Sequence, residues 1–130
     1  MTMFDPKGFI TLARYFSKPS KTEAEYRTAI SRSLYGIFLW AREELDQRGQ
    51  NVKTGKANEH EKVRHCFKEG PYKHSKTWER LGGLYKLRNK SDYTLDVTVQ
   101  YVDLVQALEY VEYIENVFDN VLFTKPPNSS

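Results

Sequence analysis

Charged residues sit in two places where the surrounding apolar periodicity calls for greasy side chains. Between Thr22 and Gly49 the residues Ile30, Leu34, Ile37, Phe38, Ala41 and Leu45 recur at helical spacing. At 100° per residue Arg27 falls about 30° from the centre of that arc, with Ser31 and Tyr35 continuing its four-residue file toward the edge and Arg32 pointing almost the opposite way. Further on, the file Trp78, Leu81, Tyr85, Arg88, Asp92 steps by three and four residues, so an apolar stripe turns ionic near its C-terminal end. A buried unpaired charge costs several kcal/mol, so these groups must pair, meet a partner subunit or line a wet cleft. Two chemistries fit. In one, Asp92 receives Arg88 one turn away or Arg27 across a helix contact, fixing the register of a bundle. In the other, the arginines form an anion site, because a guanidinium grips phosphate in a bidentate geometry that lysine cannot reproduce.

The remaining reactive side chains narrow the options. His60, His65 and His74 are the three imidazoles, and His60 and His65 lie five apart rather than at the four-residue step of a helical metal pair. No metal or other cofactor is predicted. The lone Cys66 excludes an internal disulfide framework, and beside His65 it points to a different part of a helix, so it is assigned to the core. Gly82-Gly83 lacks the Lys and Ser or Thr of a phosphate loop, which disfavours ATP hydrolysis. Lys53, Lys56, Lys62, Arg64, Lys68, Lys73 and Lys76, with Phe67, Tyr72 and Trp78 interleaved, suit either a solvated helix face over core aromatics or a track for a single-stranded backbone.

The elements that must position these groups are helices. The 130-residue chain allows one domain, and 20 Lys and Arg against 17 Asp and Glu give a mild net charge of +3 that names no partner. Asp5-Pro6 starts a short helix to about Ser17, and Thr22 with Glu25 forms a capping-box pattern for a long helix ending at Gly49. A third helix spans about 58–69 and stops at Gly70-Pro71, a fourth is capped by Ser75 and runs to Tyr93, and a fifth opens at Asp96 or Thr98. Gly82-Gly83 suggests a close helix crossing. The fifth helix has a broad apolar face that fits either two neighbours in its own bundle or a dimer contact, and Val97 to Val102 reads second-best as a strand. The result is an all-α fold, an up-and-down bundle of four to five helices over residues 1–124, with a frayed tail at 125–130. The single cysteine fits a reducing compartment, so a cytoplasmic protein is expected, and no apolar run reaches the roughly 18 residues of a spanning helix, so no membrane partner is expected.

Two segments resemble a known family. Glu25-Tyr26-Arg27-Thr28-Ala29-Ile30-Ser31-Arg32-Ser33-Leu34-Tyr35 resembles the first long helix of HEPN domains, the nucleotide-binding helical bundles of higher eukaryotes and prokaryotes. Leu84-Tyr85-Lys86-Leu87-Arg88-Asn89-Lys90-Ser91-Asp92-Tyr93 is similar to their signature helix, and a long apolar helix follows, as in the family. The resemblance spans roughly residues 22–123. It implies an all-α homodimer whose signature motifs face each other. Many family members are metal-independent ribonucleases of toxin or defence systems that use an Arg, a following polar residue and a His, with four to six residues in all between the Arg and the His.

Arg88 and Asn89 match the first two positions, whereas Tyr93, Thr94 and Leu95 stand where the His belongs. A base with pKa near 6.5 is far better poised at neutral pH than a phenol near 10, so phosphate binding survives this substitution better than catalysis. The expectation is an RNA- or nucleotide-phosphate-binding homodimer with Arg27, Ser31, Tyr35, Arg88, Asp92 and His60 around the anion. Arg88, Asn89 and Tyr93 are the candidates for any residual chemistry. The alternatives are an active endoribonuclease toxin, with a nucleotidyltransferase-type antitoxin as partner, and a purely structural dimerisation module.

Overall fold

The computed structural model of the protein describes residues 4–69 and 76–122. The expected stop at Gly70-Pro71, the Ser75 cap, Tyr72, Lys73, His74 and the tail 125–130 lie outside the described residues. The rest is helical: α1 (Lys7–Tyr15), α2 (Glu23–Gln47), α3 (Glu59–Lys68), α4 (Thr77–Tyr93) and α5 (Tyr101–Val117), the last running into a π-helical turn, Phe118–Leu122. No strand occurs among the described residues, and the fold is an all-α bundle.

Local chemistry sets the helix ends. The Thr22 hydroxyl accepts the Glu25 N–H at 3.2 Å while the Glu25 carboxylate accepts the Thr22 N–H at 2.9 Å, both halves of the expected capping box. Gly49 takes a φ of +87°, a left-handed conformation that suits glycine, just past the end of α2. At the start of α3 the Glu59 carboxylate accepts the Gly55 N–H at 2.6 Å and pairs with Arg42 of α2 at 3.0 Å, which fixes where α3 begins relative to α2.

α2 is the hub of the bundle, packing against α1, α3, α4 and α5. Its Ile30, Leu34, Ile37, Ala41 and Leu45 are fully buried, as the periodicity predicts. α5 lies against both α2 and α4, with Leu104, Ala107, Val111 and Ile114 of its broad face buried and Val102 left exposed. Gly83 marks a close crossing of α4 with α5, because a Cβ added there would stand 2.7 Å from the Tyr110 ring. Cys66 is buried, and burial pushes its thiol pKa up, away from reactivity.

The start of α5 departs from expectation. Neither Asp96 nor Thr98 opens it; the helix begins at Tyr101, and the Asp103 carboxylate accepts the Gln100 N–H at 2.8 Å. The physical reason lies across the molecule. The Val99 N–H donates to Glu23 of α2 at 3.1 Å and the Val97 carbonyl accepts from Arg27, so side chains of α2 take the backbone groups that would have begun a helix.

Candidate functional site

Arg27 is inward, as its helical angle requires, and half-buried. Its Nε donates to Glu23 at 2.9 Å, Nη1 to the carbonyls of Lys90 (3.2 Å) and Ser91 (2.9 Å), and Nη2 to those of Thr94 (3.2 Å) and Val97 (2.6 Å). Those bonds occupy all the N–H groups a guanidinium has. Arg27 therefore clamps the C-terminal carbonyls of α4 and the following turn, satisfying acceptors that a helix end leaves open. Its placement among the phosphate ligands is corrected: no N–H is left for an anion. Glu23 shares the task. The Val99 N–H, and then Arg27, hold its carboxyl below the usual carboxylate range.

Arg88 is arranged differently. Its Nε lies 3.0 Å from Asp92 one turn on, and its terminal nitrogens donate no hydrogen bond to any described residue. Asp92 Oδ2 also accepts the Ser31 hydroxyl at 3.2 Å, so α2 positions Asp92 and Asp92 positions Arg88. Of the two pairings open at the sequence level, Asp92 takes Arg88 and not Arg27. Arg88 lines a cleft of about 250 Å³ with Ser31, Arg32, Leu34, Tyr35 and His60. A second cleft of about 390 Å³ shares Ser31 and Arg32 and continues past Asp92 to Arg27.

His60 reaches the cleft from α3. Its ring stacks on Phe38 of α2, 3.7 Å between centroids and 14° between planes, and Nδ1 hydrogen-bonds the Tyr85 hydroxyl of α4. Burial, and then the positive charge of Arg88, lower its pKa from the ordinary histidine value, so the ring is neutral at neutral pH. Burial raises the pKa of the Tyr85 phenol, which keeps its proton. We assign that proton as donated to Nδ1, since the reverse would leave a buried hydroxyl hydrogen without an acceptor among the described residues. The single proton of the neutral imidazole then sits on Nε2.

The other candidates separate. Tyr35 lines the cleft, 40% exposed, with its ring 5.3 Å from Phe9 of α1. Tyr93 is 68% exposed at the last residue of α4, where the Arg88 guanidinium lies 5.6 Å from its ring centroid. Asn89 is exposed and lines neither cleft. Arg32, which the helical wheel turns away from the core, is at the mouth of both clefts and leans over the Phe9 and Tyr35 rings at 5.6 and 5.9 Å. It is the residue sequence reasoning missed. Its signal was weak: a wheel gives the angle at which a side chain leaves the axis, not the sideways reach of a long one.

The site thus defines a class, an all-α bundle with a guanidinium and a neutral imidazole sharing one cleft between α2, α3 and α4. Among known proteins the chain is 31% identical over a 130-residue alignment to the uncharacterized protein MJ0992 of Methanocaldococcus jannaschii, covering 87% of this chain and 72% of the relative. It is 27% identical over 143 aligned residues to the uncharacterized protein MJ0628 of the same organism, covering 95% of this chain and 86% of that one. The chain belongs to the family of MJ0992. No family model and no solved structure matches it.

Proposed function

We propose that the protein is a HEPN-like module that binds a phosphate of RNA or of a nucleotide through Arg88, with Ser31 and Asp92 holding that guanidinium and Arg32, Tyr35 and His60 completing the cleft. The observation that carries this reading is the asymmetry of Arg88. One nitrogen is anchored on a carboxylate, the two terminal ones have no hydrogen-bond partner among the described residues, and the side chain lines the cleft. The test is binding of adenosine 5′-monophosphate and of a short single-stranded RNA by isothermal titration. Arg88→Gln weakens both by about tenfold or more, in line with a lost charged hydrogen bond. Unchanged affinity with an intact fold defeats the proposal and leaves the structural dimerisation module.

A second reading, a metal-independent endoribonuclease, is favoured by His60. The family position for histidine holds Tyr93, Thr94 or Leu95, yet a neutral imidazole arrives beside Arg88 from a different helix. In that role the Nε2–H of His60, whose Nδ1 is taken by the Tyr85 hydroxyl, donates to the phosphate beside Arg88, and both stabilise the charge that builds there. RNA cleavage in EDTA that disappears in His60→Gln, while phosphate affinity persists, supports it.

The oligomer follows from the same corner of the molecule. Tyr93, Leu95 and Val102 are 68%, 83% and 62% exposed around the turn beyond Arg88 and Asp92. In this proposal a second copy of the chain covers them and brings two clefts together. Sedimentation of Leu95→Glu, expected to be monomeric where the parent is dimeric, tests this. A toxin role with a nucleotidyltransferase-type antitoxin remains part of the same proposal.

A further inference from the structure

A larger cleft of about 570 Å³ lies between α3, α4 and α5. Arg64 of α3 stands at its wall, the guanidinium carbon 5.0 Å from the Tyr85 ring centroid and 5.6 Å from that of Trp78. Among the described residues no carboxylate or carbonyl pairs with it, and its Nε is buried without a hydrogen-bond partner. Two ammonium groups add to the charge: Lys68 Nζ lies 4.9 Å from the Trp78 ring, and Lys86 lines the cleft. Glu79 is the one carboxylate among the lining residues. The floor is Gly82-Gly83. A Cβ at Gly82 would stand 3.2 Å from Arg64 Nη2, so the absence of a side chain there leaves the guanidinium its room.

A cation that is stacked on two rings, grouped with like charges and left without an anion is arranged for a negatively charged, aromatic visitor. Guanidinium stacking and flat apolar faces suit a nucleobase, while the lysines suit a phosphate. Tyr85 joins the two clefts, since its ring lies against Arg64 and its hydroxyl holds His60, 5.3 Å between ring centroids. We infer that the Arg64 cleft is a second nucleotide subsite, taking the base and phosphate next along a single RNA strand from the one held by Arg88. The inference rests on the phosphate-binding reading of the Arg88 cleft and deepens it: the ligand is an oligonucleotide strand rather than a free mononucleotide.

The experiment measures fluorescence-anisotropy affinities of the full chain for a 2′-O-methyl oligoadenylate of about ten nucleotides, which cannot be cleaved through its 2′-oxygen, and for adenosine 5′-monophosphate by competition. Arg64→Gln is expected to weaken the oligonucleotide about tenfold and to lower the slope of log affinity against log salt by about one, leaving the mononucleotide unchanged. Arg88→Gln weakens both probes. Gly82→Ala keeps every charge and favours the helix, yet displaces the guanidinium, so it weakens the oligonucleotide severalfold with no loss of thermal stability. Oligonucleotide affinity and salt slope unchanged in Arg64→Gln and Gly82→Ala, while Arg88→Gln weakens both probes, overturn the second subsite and spare the first. Affinity for both probes unchanged in Arg88→Gln overturns the reading of the first cleft, and absence of binding by the parent chain overturns both.

Discussion

Arg27 and Arg88 stand on neighbouring helices, contact the same stretch of α4 and look alike in sequence, each an arginine on an inward arc. Their surroundings make them opposites. Arg27 meets four backbone carbonyls and a carboxylate, and every N–H it has is engaged. Arg88 meets one carboxylate through one nitrogen. The same functional group thus closes the edge of the bundle in one place and leaves a receptive surface in the other, and the difference is set by whether backbone acceptors converge on it. Binding potential in this fold is measured by unused donors rather than by counting arginines.

The largest effect expected is at the clamp. Arg27→Met leaves the carbonyls of Lys90, Ser91, Thr94 and Val97 without their donor, and at ~1 kcal/mol or more for each poorly satisfied group the loss is about 3 kcal/mol or more. Urea denaturation measures it. Hydrogen exchange adds a local readout, because amides of 94–100 lose protection first. A loss below about 1 kcal/mol would make Arg27 an ordinary surface charge and collapse the contrast with Arg88.

The glycine pair repeats that contrast one face over. At Gly83 the added methyl group meets the Tyr110 ring, which α5 packing holds in place, so Gly83→Ala destabilises by about 1–3 kcal/mol despite a better helix former. At Gly82 it meets the movable end of Arg64, and Gly82→Ala leaves stability unchanged or raised by up to about 1 kcal/mol. Thermal melts of the two variants should separate in that order; equal melts would mean that neither position is closed.

Sequence reasoning reaches some of this and stops for identifiable reasons. The capping box of Thr22 and Glu25, the buried file of α2 and the inward angle of Arg27 are local, written within a few residues and a 3.6-residue period. Apart from Glu23 one turn away, the partners of Arg27 are 63 to 70 residues away and are carbonyls, which any residue type carries, so no pattern announces them. For the same reason the β-branched run at 97–99 looks like the start of α5, although its backbone groups are held by Glu23 and Arg27. His60 joins Arg88 only through the approach of α3 to α4, and its Phe38 and Tyr85 neighbours read in sequence as plain core residues. Asp92 is the intermediate case, its Arg88 pairing being a local four-residue step while its Ser31 contact is not.

At Arg88 a small effect on stability is expected, in keeping with an ion pair that remains partly exposed. Arg88→Met removes one contact to Asp92, which keeps the Ser31 hydroxyl, and the change stays below about 1 kcal/mol. Set beside Arg27→Met in the same denaturation series, this variant states the comparison as a ratio: a large loss of stability without a direct loss of an anion ligand, against a large loss of phosphate affinity with little loss of stability. A cost at Arg88 matching that at Arg27 would place both in the scaffold.

The smallest effect is a proton. His60 is held neutral in the fold by burial and by Arg88, with its pKa below the ordinary value near 6.5. As pH falls through about 6.5 the unfolded chain takes up a proton at this ring before the folded chain does. The unfolded state then binds more protons, so stability rises with pH across that window and its contribution is lost on acidification toward the lower, folded-state pKa. The ring is only half-buried, and solvent screening keeps the loss between about pH 7 and about pH 5 under about 1 kcal/mol. His60→Gln flattens the profile in that window relative to the parent. Arg88→Met does so partly, because it removes the positive neighbour while leaving the burial. A parent profile that instead gains stability on acidification, with the gain lost in His60→Gln, would mean that the fold prefers the imidazolium. The open side of the molecule would then hold two cations, and the imidazole would be a charge for the phosphate rather than a neutral donor beside it.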